Sequence, residues 1–118
     1  MTRKAESVQW AWDLFRRIPY PGNPRAGVSQ DWGARLLTLD AAIAGYASQV
    51  SNGTMVAAQV PNLARLIGEV EDLQRELGGI TVADDEDDEL FLRQCRSYVE
   101  ALYHLIVELG ELAKSELD

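Results

Sequence analysis

Three side chains in the last third of the chain have types and spacing suited to metal binding. Glu100, His104 and Glu108 lie four residues apart, so they share one face of an α-helix. Carboxylate and imidazole groups are common ligands of transition metals. Di-iron helical bundles, however, use Glu-x-x-His pairs that point into the core, whereas this row lies opposite the apolar side of its helix. We therefore interpret it as a solvated surface stripe and predict no metal site.

A second candidate is the Glu-x-x-Glu pair Glu108 and Glu111 in the segment HLIVELGELA, residues 104–113. This segment resembles the first metal-binding helix of the all-α nucleotide pyrophosphohydrolases of the MazG type, where a Glu-rich helix of this form holds magnesium. The resemblance implies a divalent-metal-dependent nucleotide hydrolase. That family completes its site with a Glu-x-x-Asp pair on a later helix, whereas here Glu69 and Asp72 lie upstream. This enzyme is our alternative, and it requires the two pairs to meet in one cleft.

The remaining chemical features favour structural roles. The acidic run 84–89 suits a helix N-terminus, and it lacks the sixth-position Gly and twelfth-position Glu of an EF-hand loop. Cys95, the one cysteine, lies on an apolar helix side, where we expect it to be buried. There is no Gly-rich phosphate loop, zinc spacing or nucleophile elbow. We predict a non-enzymatic protein with no catalytic, metal-binding or cofactor-binding residues and no cofactor.

A long helix over residues 85–116 is predicted to carry these side chains. Its apolar residues recur at steps of three and four in two adjacent rows. At about 100° per residue the rows cover roughly half of the helix circumference, which is wider than the stripe of a helix packed on one neighbour. We therefore expect at least two neighbouring helices. The rows consist of Phe91, Cys95, Tyr98, Leu102, Leu105, Leu109 and Leu112, and of Val99, Tyr103, Ile106, Gly110, Ala113 and Leu117.

Two helices upstream are predicted to supply those neighbours. The first covers residues 31–51, and the second, over 54–77, contains Pro61, which we interpret as a kink rather than a helix start. The first has large apolar residues on one side and small ones on the other. We expect the small side to admit a close neighbour, namely the N-terminal arm. The small residues are Ala34, Ala41, Ala44, Gly45 and Ser48.

That arm is a predicted helix over residues 5–18, followed by a Pro-rich loop over 19–30. Its apolar residues lie on two sides. Because it carries two of the three tryptophans, the arm must be covered either by the bundle or by a partner. We expect it to pack on the bundle. One side holds Val8, Trp12 and Phe15, and the other holds Trp10, Leu14 and Ile18.

Composition restricts the classes of partner. The chain has 118 residues and a net charge of −8. A strongly acidic chain is a poor ligand for nucleic acid or anionic membrane surfaces, which bind clustered Lys and Arg. No apolar run reaches the ~18 residues of a membrane span, and no signal-peptide core follows the N-terminus. With a single cysteine, these features predict a soluble, cytoplasmic protein.

These patterns predict an all-α, up-down antiparallel bundle of three long helices over 31–118, preceded by an arm and loop over 1–30. The last helix is longer than the other two, so we expect its apolar end to overhang the bundle. An overhanging apolar end predicts a protein–protein interaction module, an adaptor, regulator or small inhibitor, that forms a homodimer or binds another protein. The predicted interface residues are Trp10, Trp12, Tyr103, Ile106, Leu109 and Leu117.

Overall fold

The chain forms four α-helices in a computed structural model that describes residues 3–21, 30–51, 60–80 and 86–115. The helices are α1 (Arg3–Arg16), α2 (Gln30–Ser51), α3 (Val60–Gly78) and α4 (Glu86–Ser115). Within these ranges there is no β-strand. The all-α bundle predicted from hydrophobic periodicity is confirmed. The rod-shaped molecule measures 50 × 25 × 17 Å.

The helix starts follow local sequence signals. Asp31 lies in the first turn of α2, where its carboxylate interacts favourably with the helix dipole. Pro61 is the second described residue of α3, a position at which its missing N–H costs nothing. Residues 54–59 of the predicted kinked helix lie outside the described residues, and so do Asp84 and Asp85 of the acidic run.

Helix α4 is the central element, and α1 and α3 make the closest backbone approaches to it. Both run antiparallel to α4. Along α1, Phe15 packs on Tyr98 while Trp10 lies beside His104. On the α3 side, a Cβ added to Gly110 would lie 3.4 Å from the Cδ1 atom of Ile67. The glycine therefore allows these two helices to pack closely.

The core confirms the apolar rows. Every member of the first α4 row is buried, and in the second row only Tyr103 is partly exposed among the residues whose burial is described. Helix α1 contributes to the same core as the other three helices, so the bundle has four members rather than three and an arm. Its core residues are Val8, Ala11 and Phe15.

Two predictions about packing are wrong. Leu109, Leu112 and Ala113 are at most 4% exposed, so the apolar end of α4 does not overhang through Ala113; α1 and α3 both lie along it. The small side of α2 does not receive the arm either, since Ala41 and Gly45 are exposed. The sequence pattern correctly predicted that the arm packs on the bundle. It placed α1 against α2, whereas α1 packs mainly on α4.

Polar contacts between side chains fasten α2 to its neighbours. The indole Nε1 of Trp32 donates to the Leu73 carbonyl oxygen at 3.1 Å. Arg35 Nη2 contacts both carboxylate oxygens of Glu76, at 2.6 and 2.7 Å. These contacts orient α2 against α3, with which it runs antiparallel.

Candidate functional site

The structure separates the six predicted interface residues into different environments. Trp10 is 61% exposed, whereas Ile106 and Leu109 are fully buried within the chain. Burial of these two by α1 and α3 corrects their assignment, because a partner cannot reach them in the folded bundle. Trp12 and Tyr103 are partly buried against the core. Leu117 lies outside the described residues.

Trp10 and Trp12 differ in exposure because side chains two positions apart on a helix point in different directions. Trp12 packs with the ring of Phe15, 6.0 Å away, and the Arg16 guanidinium covers it at 5.8 Å. Trp10 instead stands at the edge of a groove between α1 and α4. Its ring meets the His104 imidazole edge-on, with centroids 6.1 Å apart and planes at 77°. Of the two tryptophans, Trp10 is the one available to a partner.

The groove beside Trp10 has an apolar floor. Its volume is about 560 Å³, and Leu14 and Ile18 from α1 face Ala101 from α4 across it. A second hollow of about 440 Å³ continues past Trp10 and His104, which line both, towards Glu6 and Glu108. We call the two joined hollows the Trp10 groove. Trp10, Leu14 and Ile18 are the residues predicted to form the second apolar side of α1.

Carboxylates line the length of the Trp10 groove. Glu100 lies beside its floor, and Glu6 and Glu108 lie at the far end, while Arg17 is at the opposite end. Among the side chains that the structure describes, no arginine forms an ion pair with Glu6, Glu100 or Glu108. Arg96, one turn from Glu100 on α4, instead places Nη2 3.4 Å from the Ile80 carbonyl oxygen. Three carboxylates and one guanidinium thus line the part of the groove that the structure describes.

Tyr103 lies where the exposed surface of α4 borders α3, whereas the Trp10 groove lies where that surface borders α1. It lines a hollow of about 420 Å³ between α3 and α4, together with Gln74 and Leu77. Glu100 lines both this hollow and the Trp10 groove. Tyr103 and Trp10 thus flank one exposed stripe of α4, and the predicted surface row of Glu100, His104 and Glu108 runs along that stripe.

The acidic pair Glu69 and Asp72 lines a different groove from Glu108 of the second pair. Glu69 and Asp72 lie between α2 and α3, in a groove of about 320 Å³, whereas Glu108 lies between α1 and α4. Arg65 pairs with Glu69 at 2.8 Å, and Arg75 pairs with Asp72. No group of three or more His, Cys, Asp or Glu side chains suited to a metal occurs in the described part of the chain. The structure does not bring these pairs into one cleft.

A buried polar contact near the end of α1 joins three parts of the fold. The Tyr98 hydroxyl of α4 donates to Asp40 Oδ2 of α2 at 2.7 Å, and the ring of Tyr20 stacks edge-on against Tyr98 at 5.2 Å. Burial, and then the hydrogen bond to Asp40, raise the pKa of Tyr98. The hydroxyl therefore stays protonated and donates at neutral pH, which is a structural role.

Cys95 confirms its predicted role as a small buried hydrophobe. It is fully buried, and this burial raises the pKa of its thiol to about 11. The reactive thiolate is therefore scarce at neutral pH. No feature around Cys95 points to nucleophilic chemistry.

The fold and this surface define a four-helix bundle with one open, tryptophan-edged groove. No protein family, curated protein or solved structure matches the chain. No helix in the described ranges has the length and apolarity needed to cross a bilayer. Sequence reasoning missed Ala101 as part of the groove; the signal was a small residue on α4 between the apolar row and the charged stripe.

Proposed function

We propose that this chain is a non-enzymatic protein–protein interaction module that binds its partner in the Trp10 groove. One observation carries the proposal: α1 has two apolar sides, and the bundle covers one of them more completely than the other. Val8 and Phe15 are at most 5% exposed, whereas Trp10 is 61% exposed. A large exposed aromatic beside an apolar groove is typical of a binding surface.

The type of residue at the groove edge supports this function. Tryptophan is enriched among the few interface residues that contribute most of a binding free energy. The groove follows α1 from Glu6 to Ile18, which at about 1.5 Å per residue is roughly 18 Å long. This length suits three turns of a partner helix. Leu14, Ile18 and Ala101 are partly buried, so a docked side chain would complete their coverage.

The homodimer was predicted from an overhanging apolar end of α4, so it now needs support from another surface. The end of α4 is covered by α1 and α3, so it no longer argues for self-association. A second copy would have to use an exposed surface such as the Trp10 groove, and sedimentation velocity over a range of concentrations tests this directly. We also propose a cytoplasmic location, since the single buried cysteine needs no oxidising compartment.

The Trp10→Ala variant tests the proposed function. Leu37→Ala is the matched control, because Leu37 is 59% exposed on α2, away from the groove. Tagged wild-type and variant chains are used to capture proteins from extracts of the native cell, and retained proteins are quantified by mass spectrometry. We expect a partner that the wild type and Leu37→Ala retain and Trp10→Ala loses. Equal retention by all three chains, with unchanged sedimentation, would contradict the proposal.

A further inference from the structure

Three carboxylates and one guanidinium line the described part of the Trp10 groove, and this balance indicates the chemistry of its occupant. We infer that the groove binds a short amphipathic helix whose apolar side is flanked by Lys or Arg residues. This inference rests on the proposed function and adds to it the class of partner.

The shape of the groove favours a helix. Two antiparallel helices, α1 and α4, form its walls, so a third helix lying between them packs along both at the usual interaxial distance of about 8–10 Å. On the α4 side the lining residues include Ser97 and Ala101, which are small and allow close approach. Trp10 stands at the edge and provides a large flat surface against which a partner's Leu or Met side chain packs.

The charge of the groove favours a basic partner. Glu69, Asp72 and Glu76 of the α2–α3 side are each paired with an arginine. By contrast, Glu100 and Glu108 pair with no arginine among the described side chains. Desolvating such carboxylates without a cationic partner is costly, so an uncharged or acidic helix binds here at a disadvantage.

The same charge disfavours a second copy of this chain as the occupant. The chain has a net charge of −8, so two copies repel each other, whereas a basic helix is attracted and its association is accelerated. The carboxylates are concentrated at the Glu6–Glu108 end, and Arg17 lies at the other. We expect the cationic residues of the partner to concentrate at the Glu6–Glu108 end.

Two synthetic helical peptides test this inference. They share one Leu-rich apolar side at helical spacing and differ only in flanking residues, which are Lys in one and Glu in the other. Each carries an uncharged fluorophore, and binding to the full chain is measured by fluorescence anisotropy at two salt concentrations. We expect the Lys peptide to bind, with an affinity at least about tenfold lower for Trp10→Ala, as for a hot-spot residue, and lower at high salt. The Glu peptide should not bind.

A double variant isolates the charge of the groove. Glu100→Gln with Glu108→Gln removes two carboxylates that line it, while Glu71→Gln with Glu89→Gln removes two exposed ones elsewhere. Both double variants remove two negative charges and so make the net charge of −8 less negative by the same amount. We expect the first double variant to weaken binding of the Lys peptide about three- to tenfold, the range of one or two partly exposed ion pairs. The second should change it less than twofold. Urea denaturation of each variant verifies that the fold is retained.

The outcomes separate the inference from the proposed function. If the Glu peptide binds as tightly as the Lys peptide and Trp10→Ala abolishes both, the basic partner is refuted and the docking groove stands. If both double variants weaken binding equally, the attraction is non-specific and the inference is refuted. If the Lys peptide does not bind the wild type, the inference is refuted while the capture experiment still decides the function. Binding that survives Trp10→Ala unchanged refutes both.

Discussion

Phe15 is the side chain that we expect to hold α1 on α4. It is 5% exposed and packs on the ring of Tyr98 with centroids 4.9 Å apart. The Phe15→Ala variant removes this contact and leaves a cavity that the surrounding helices only partly refill. Trp10→Ala is the control on the same helix, because it removes a larger ring from a largely exposed position.

The expected loss follows from burial. Replacing a buried Phe by Ala costs about 3–5 kcal/mol, whereas surface substitutions change stability by about 0.5 kcal/mol or less. A domain of 118 residues has a free energy of unfolding of about 6–18 kcal/mol, at about 0.05–0.15 kcal/mol per residue. The Phe15→Ala chain should therefore fold but lose a large part of its stability, first through undocking of α1. Undocking exposes the apolar side chains of α4 that face α1, including Tyr98.

Three measurements check this reasoning. Urea denaturation gives the change in the free energy of unfolding. Hydrogen exchange should show faster exchange in α1 and in the C-terminal half of α4, while α2 and α3 remain protected. Light scattering should show an increased molar mass for Phe15→Ala at concentrations where the molar mass of the wild type does not change. A loss below about 1 kcal/mol, or equal losses for Phe15→Ala and Trp10→Ala, would show that α1 is not held through Phe15.

Two further predictions concern the interior and surface of the bundle. The pKa of Cys95 is about 11 in the folded chain and about 8.5 in an unfolded chain. The neutral thiol therefore contributes fully to the free energy of unfolding below about pH 8.5, and this contribution is lost as the pH rises towards 11. By pH 10 the wild type should have lost about 2 kcal/mol more than Cys95→Ala in urea denaturation; parallel pH profiles would contradict this. Gly68 is exposed within α3 with no atom near its missing Cβ, so Gly68→Ala should raise the free energy of unfolding by about 1 kcal/mol. An unchanged or lowered value would show that Gly68 has a packing role.

Hydrophobic periodicity predicted the helices and their core sides correctly because both depend on local spacing. The row from Phe91 to Leu112 recurs every three or four residues, and all of its members are buried. Any fold that buries α4 on several neighbours gives this pattern. Sequence spacing therefore identified which residues are buried, although not what buries them.

The errors arose where burial depends on tertiary arrangement. Ile106 and Leu109 were assigned to an interface because three helices of the predicted lengths leave one end of α4 uncovered. In the structure α1 and α3 cover that end. Burial by the chain's own fourth helix and burial by a partner produce the same apolar pattern, so sequence alone does not distinguish them. The small side of α2 was likewise consistent with either a docked neighbour or solvent.

The candidate site lies along α1, whose apolar residues lie on two sides of the helix. The bundle fully covers one of these sides, through Val8, Ala11 and Phe15, and covers the other only in part. The other side, from Trp10 to Ile18, borders an open groove. If residue 10 had only a structural role, a smaller side chain at this position would expose less apolar surface. An exposed tryptophan adds aggregation risk, and its position beside an apolar groove is the observation on which the proposed binding function rests.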